Sequence, residues 1–207
     1  MTMVLRYMTL ADVKEVAAVD KVSFSTPWPA SSYAYEVSES PYSHMVVLED
    51  IAGEIGQRPP ASPRWKNLAK RLAGQPASAQ RQLLSYGGVW KIMDEAHIST
   101  IATHPDQRGN KYGEIALVAM LRRAIVLNAE YVVLEVRVGN VVAHNLYRKY
   151  GFESVFTKRN YYSNGEDAYD MRLDLSEENL ARVSQGYATL IMNRNVIDQF
   201  TETSPPG

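Results

Sequence analysis

The sequence predicts one α/β domain with appendages, built on a mixed sheet with helices packed on both faces. Three observations carry this prediction. Apolar runs of strand length alternate with segments of helical period, in the order β-α-α-β-β-β-α-β-α-β-β. The chain has 207 residues, enough to enclose a full core. Its composition, 45% hydrophobic and 22% charged, is that of an ordinary globular protein.

The first strand spans residues 4–8. Thr9 stands as N-cap before a helix over 11–23, whose apolar positions Val13, Val16, Ala17 and Val19 share one face. The segment 24–29 reads as a turn with two exposed aromatics, Phe24 and Trp28, among prolines. A short helix over 31–38 and a strand over 44–49 follow. Residues 55–84 break the pattern: they hold Pro59, Pro60, Pro63 and Pro76, and no acidic residue stands between Ile55 and Met93. This stretch reads as a basic, proline-rich insertion, about 52–84, between the strands of a hairpin. It is either a solvated loop or a docking surface for an acidic partner such as ribosomal RNA.

The strand pair resumes at 86–93 and 96–103. A strong helix covers 115–127, with Leu117, Val118, Leu121, Ala124 and Ile125 on one side. Residues 131–138 form a nearly continuous apolar strand, expected to be buried on both faces. A helix over 141–150 has Asn140 as N-cap and Gly151 as its stop. Strands at 152–161 and 168–175, an extra helix over 176–192 and a frayed tail from 201 complete the chain. The domain is therefore assigned to 1–175, and 176–207 to a C-terminal extension.

Several function classes are excluded. With no cysteine, the chain has no disulfide framework, thiolate zinc site or cysteine nucleophile. Its four histidines lack metal-ligand spacing, and no metal is expected. A net charge of -1 gives no general drive toward nucleic acid or membrane. Without an apolar span or a signal-like N-terminus, the expected location is the cytoplasm.

What remains points to one stretch. The turn from Arg108 to Gly113 feeds a helix N-terminus, where backbone amides and the helix dipole converge on an anion. It is either a plain surface turn or a pyrophosphate cradle assisted by Arg108 and Lys111. His104-Pro105 ends the preceding strand abruptly, which would splay it from its neighbour. Glu135 interrupts an apolar strand. It is either a desolvated base with a raised pKa or the ion-pair partner of Arg137, two residues on and on the same face. Tyr147, one of 13 tyrosines, is either a core aromatic or a proton donor. His97 is held in reserve as a base.

These residues, with several ordered fragments around them, resemble the GNAT acetyltransferases, and among them the RimI-type ribosomal-protein-alanine N-acetyltransferases. The fragments are Ser23-Phe24 with Pro27-Trp28, Trp90 with Asp94-Glu95-Ala96-His97-Ile98, and Leu134-Glu135-Val136-Arg137-Val138 with Asn140. Asn145-Leu146-Tyr147, Gly151-Phe152, Arg159-Asn160-Tyr161-Tyr162 and Glu166-Asp167-Ala168 complete the set. The resemblance covers about 4–50 and 85–175. In the pyrophosphate motif Arg108 and Gly113 match, but Lys111 replaces the central glycine.

The resemblance implies a mostly antiparallel sheet splayed at the cofactor site, with acetyl-CoA bound in the gap. Ile101, Ala102 and Thr103 would hold the pantetheine and acetyl carbonyl. Arg108, Gly109, Asn110, Lys111, Tyr112, Gly113 and Glu114 would take the pyrophosphate, and Asn140 the cofactor arm. Glu135 matches the proton acceptor and Tyr147 the proton donor. Phe24, Pro27, Trp28, Tyr161 and Tyr162 would wall the place of a peptide N-terminus. The implied substrate is the N-terminal alanine of a ribosomal protein, the eighteenth of the small subunit. A broader N-terminal acetyltransferase, or a binding module without catalysis, are the alternatives, the latter because of Lys111.

Overall fold

The structure is a computed structural model that describes residues 2–51 and 81–204. One eight-stranded sheet forms its middle. The strands are β1 (Met3–Tyr7), β2 (Ser43–Asp50), β3 (Gln82–Ile92), β4 (Glu95–Thr103), β5 (Tyr131–Arg137), β6 (Glu153–Lys158), β7 (Ala168–Asp174) and β8 (Ile197–Gln199). Their order across the sheet is β6-β7-β5-β4-β3-β2-β1-β8. β1 to β4 form an antiparallel meander, and β7 lies antiparallel between β5 and β6. Only β4–β5 and β1–β8 are parallel.

Helices α1 (Val13–Ser23) and α2 (Ala30–Ser38) cover one face. Val13, Val16 and Val19 of α1 join Tyr33, Met45, Val47 and Tyr86 in the smaller of the two hydrophobic clusters. α1 begins after a short 3-10 turn at Leu10–Asp12, where Thr9 is indeed the N-cap. The Asp12 carboxylate reaches back to accept from the Thr9 amide at 2.8 Å.

On the other face lie α3 (Tyr112–Val126), α4 (Val141–Lys149) and α5 (Glu177–Tyr187). α3 starts at Tyr112, earlier than its apolar pattern suggests, and it is buried nearly all round. Ile115 to Leu121 have no exposure at all. The cause is the C-terminal extension, which lies over its outer side: Val183, Leu190, Ile191, Val196 and Phe200 join the same core cluster. A single apolar stripe would have left that side to water. Asn140 caps α4 as expected, its Oδ1 accepting from the Ala143 amide at 3.2 Å. Gly151 stops the helix at a φ of 96°, a left-handed turn that suits glycine.

Three expectations are corrected. β5 is not buried on both faces: Val132, Leu134 and Val136 are buried, and Val133, Glu135 and Arg137 are half-buried. That second face opens into a cleft, so the strand alternates as a one-sided strand does. The tail is not frayed at its start, because Thr201 is fully buried and donates to Asp198, and Glu202 accepts from Arg122. Residues 205–207 lie outside the described residues; just before the tail, β8 pairs with β1. The segment is short and polar around Asp198, which hid it as a strand. Trp28 is half-buried rather than exposed, because it stacks on Trp90 with ring centroids 6.4 Å apart. The insertion lies outside the described residues except at its end, where Gln82 to Leu84 already belong to β3.

The Phe200 ring packs edge-on against Tyr7 at 4.7 Å. Phe200→Ala is therefore expected to cost about 3–5 kcal/mol, the range for truncating a buried Phe. Urea unfolding measures this; a loss near zero would contradict the packing of this segment on the core.

Candidate active site

β4 and β5 are paired only at Glu95↔Tyr131, Ala96↔Val132 and His97↔Val133. Beyond these the strands part. A bulge in the β3–β4 ladder lies at the same level: Gly88 pairs with Thr100 and Val89 with Ile98, leaving Ser99 as the extra residue. A bulge bends the strand that carries it. The divergence thus begins with this bulge in mid-strand, not with His104-Pro105 at the strand's end.

Two cavities meet in the gap. The larger, about 620 Å³, is lined by Ile101, Ala102, Thr103, Arg108, Gly109, Lys111, Tyr112, Gly113 and Glu114, with Asn140, Val142, Ala143, Leu146 and Tyr147. The other, about 460 Å³, holds Glu135, Trp28, Asp20, Arg137, Tyr162, Asn164 and Glu166 among its walls. Ser23, Phe24, Ile101, Asn140 and Tyr147 line both and mark the junction. The sequence-predicted residues therefore converge, with three exceptions. Asn110 turns away, its side chain donating to the Gln107 carbonyl at 3.1 Å. Pro27 and Tyr161 do not line either cavity, and Tyr161 instead supports Tyr162 edge-on at 5.1 Å.

The larger cavity fits a pantetheine–pyrophosphate ligand. At the end of α3, amides of the first turn lack intrahelical partners and point outward. Helix and strand approach closely there: a Cβ on Gly113 would stand 2.7 Å from Thr103 Oγ1. Lys111 adopts a φ of 66°, so it keeps the left-handed path that a glycine would take, at a cost of about 1–2 kcal/mol. Its side chain adds charge beside Arg108 without closing the cavity. The buried Ser23 Oγ at the junction meets no hydrogen-bond partner among the described residues, as a group awaiting a ligand would.

Glu135 differs from both of its sequence readings. Its Oε2 accepts from His97 Nε2 at 2.8 Å, and its Oε1 from Lys158 Nζ at 2.6 Å. Lys158 is shared with Asp170 at 3.0 Å. The hydrogen bond from His97 and then Lys158 outweigh burial and draw the pKa down to about 2, rather than up. Arg137 does not pair with it. That guanidinium donates to Glu166 at 2.7 Å and to Asn164 at 3.1 Å, and it lies 3.7 Å from the ring centre of Tyr162.

Tyr147 is buried, and burial pushes its phenol well above the ordinary value, so it keeps its proton across the neutral range. Asp20 is a residue the sequence reading passed over. Fully buried, its carboxylate accepts from Tyr33 Oη at 2.6 Å, from Tyr86 Oη, and from the Trp28 amide at 2.7 Å. It thereby holds the α1–α2 loop against the sheet. Its signal was present: Asp20 stands four residues after Val16, on the apolar face of α1. The roof is completed where Arg137 also donates to Ser25 Oγ, and Thr26 Oγ1 meets Ser163 Oγ at 2.7 Å. These contacts tie the α1–α2 loop to the β6–β7 loop above the smaller cavity.

Known proteins resemble this chain. The acetyltransferase (GNAT) family profile matches residues 14–152. A Bacillus subtilis protein named "putative ribosomal protein bS18-alanine N-acetyltransferase" is 32% identical over 174 residues, which cover 84% of this chain and 96% of that one. An N-alpha-acetyltransferase of Sulfurisphaera tokodaii is 42% identical over 172 residues, covering 83% and 92%. The crystal structure of the ribosomal-protein-S18-alanine N-acetyltransferase from Escherichia coli superposes with a TM-score of 0.63 at 20% identity, over 84% of this chain and 95% of that one, and so shares the fold. From the matched profile and these relatives, the chain belongs to the GNAT acetyltransferase family.

Proposed function

We propose that this acetyltransferase modifies the α-amine of a protein N-terminus, and that its substrate is the N-terminal alanine of a small-subunit ribosomal protein. One observation carries the reading: the cavity holding Glu135 lies under a roof of two tied loops and meets the larger cavity at Tyr147. Such a site favours a slender chain end over the side of a folded surface. The Bacillus subtilis relative's name supports the ribosomal substrate. A broader N-terminal acetyltransferase is the second reading, favoured by 42% identity to the archaeal N-alpha-acetyltransferase.

Acetyl-CoA, the acyl donor of the family, supplies an acetyl group already activated as a thioester. The edge of β4 from Ile101 to Thr103 would align its pantetheine arm, and Arg108, Lys111 and the amides of Gly113 and Glu114 would hold the pyrophosphate. Glu135 stays ionised at neutral pH. It would receive the substrate ammonium as counter-ion and take its proton, directly or through water. The freed amine attacks the thioester carbonyl, forming the amide. Tyr147, still protonated, would give its proton to the departing thiolate. As the attacking nitrogen becomes the amide it sheds a second proton, which would return to the Tyr147 oxygen through water. The first leaves Glu135 for solvent, and protons and charge then balance without a covalent enzyme intermediate. Asp20 and Arg137 would act at one remove, fixing the walls that aim the amine.

The direct test is mass spectrometry of peptides that carry a free N-terminus and an internal lysine, with the first residue varied. Acetylation at the α-amine alone, strongest for the ribosomal alanine sequence, is expected. Equal use of several small first residues would favour the broader reading, and transfer to lysine would reject both. The cofactor assignment makes a separate prediction. Gly113→Ala should raise KM for acetyl-CoA about tenfold or more, since the new methyl must displace Thr103 and with it the α3 end from β4. Adding Thr103→Ala removes the clashing oxygen and should restore much of the affinity; steady-state kinetics on both variants decide this.

A further inference from the structure

A second recess lies beside the pyrophosphate turn, and the C-terminal extension builds one of its walls. Its volume is about 310 Å³, and its lining includes Lys111, Lys149 and Tyr150 on one side and Arg182, Gly186 and Thr189 on the other. Lys111 lines this recess and the larger cavity alike. The extension wall lies beyond the residues matched by the family profile, which end at 152.

The recess is firmly built. A Cβ on Gly186 would stand 2.7 Å from the Tyr150 ring, so this glycine lets α5 close onto it. Tyr150 Oη donates to Glu114 at 2.8 Å, and Lys149 pairs with the same carboxylate, which roots this wall in the first turn of α3. Thr189 sits in a π-helical turn, Ala188–Met192, of the kind that recurs at functional sites. Farther along the extension, Arg194 donates to the Asn110 carbonyl at 3.3 Å, so it hangs over the turn itself.

The charges do not cancel. Glu114 offsets Lys149, and Glu178 offsets Arg182. Arg108, Lys111 and Arg194 form no ion pair among the described residues. A pyrophosphate in the turn would engage Arg108 and Lys111. Arg194 then remains for one more anion above the turn, beside a recess whose Lys149 and Arg182 are each shared with a single carboxylate.

Resting on the assignment of acetyl-CoA to the larger cavity, we propose that this recess and Arg194 bind the phosphate monoester on the ribose of the donor's nucleotide half. The extension thus makes the enzyme select a 3′-phosphorylated donor. A monoester carries nearly two charges at neutral pH and offers three acceptor oxygens, which suits a cluster of Lys and Arg.

Two donors separate the possibilities: acetyl-CoA and acetyl-3′-dephospho-CoA, each titrated in steady-state kinetics with the full-length protein. The native enzyme is expected to show a KM about tenfold or more lower for acetyl-CoA, the worth of one or two charge-assisted hydrogen bonds. Arg182→Gln with Arg194→Gln, both at exposed positions, should raise KM for acetyl-CoA alone and bring the two donors together. Equal KM values for both donors in the native enzyme would overturn the phosphate site while leaving the cofactor assignment intact. A preference that survives the double substitution would likewise overturn it. Failure of the native protein to bind either donor in calorimetry would reject the cofactor assignment and this proposal together.

Discussion

Pairing between β4 and β5 ends after His97 and Val133, and the rest of the site depends on that ending. Along a strand, alternate backbone groups face each neighbour. Once β5 departs, those of β4 that faced it need another partner, because an unpaired buried amide or carbonyl is costly. An extended ligand with its own amides can supply the missing ladder. The bulge at Ser99 sets where the gap opens, and Gly113 lets α3 close tightly over its far end. The two cavities and their junction are thus arranged by one defect in one sheet.

The other side of the gap is organised by charge. Glu135 and Arg137 alternate with buried residues along β5, so both point into the cleft, yet their partners differ. Glu135 is held by His97 of β4 and Lys158 of β6, and Lys158 is held in turn by Asp170 of β7. Arg137 is held by Glu166 and Asn164 of the β6–β7 loop. One set fixes the ionised carboxylate, and the other fixes the roof. Pairing of this kind keeps a half-buried carboxylate ionised where solitary burial would have neutralised it.

Much of the fold was legible because its signals are local. Asn140 and Gly151 bracket α4 by cap chemistry, and the apolar runs located the strands to within a few residues. Candidate residues at the turn, on β5 and on α4 were legible too, through motif spacing together with family resemblance. What escaped was non-local. No local pattern shows that Lys158 and His97 will reach Glu135, since the three come from separate strands. A strand as short as Ile197–Gln199 carries no periodicity of its own, and it forms because β1 offers a free edge. Asp20 reads as an ordinary helix carboxylate until Tyr33 and Tyr86 are brought to it by α2 and β3. The turn with Lys111 looked like the weakest part of the site, but its backbone simply takes the left-handed conformation in place of glycine.

The central claim is that the splay binds the donor while Glu135 handles the amine's proton, two tasks carried by different parts of the gap. Glu135→Gln separates them most directly, with acetyl-CoA affinity read by calorimetry and the rate read in single turnover. The account predicts an unchanged dissociation constant and a rate lowered about 100-fold or more, the usual worth of a positioned base. An undiminished rate, or lost binding of acetyl-CoA, would contradict it.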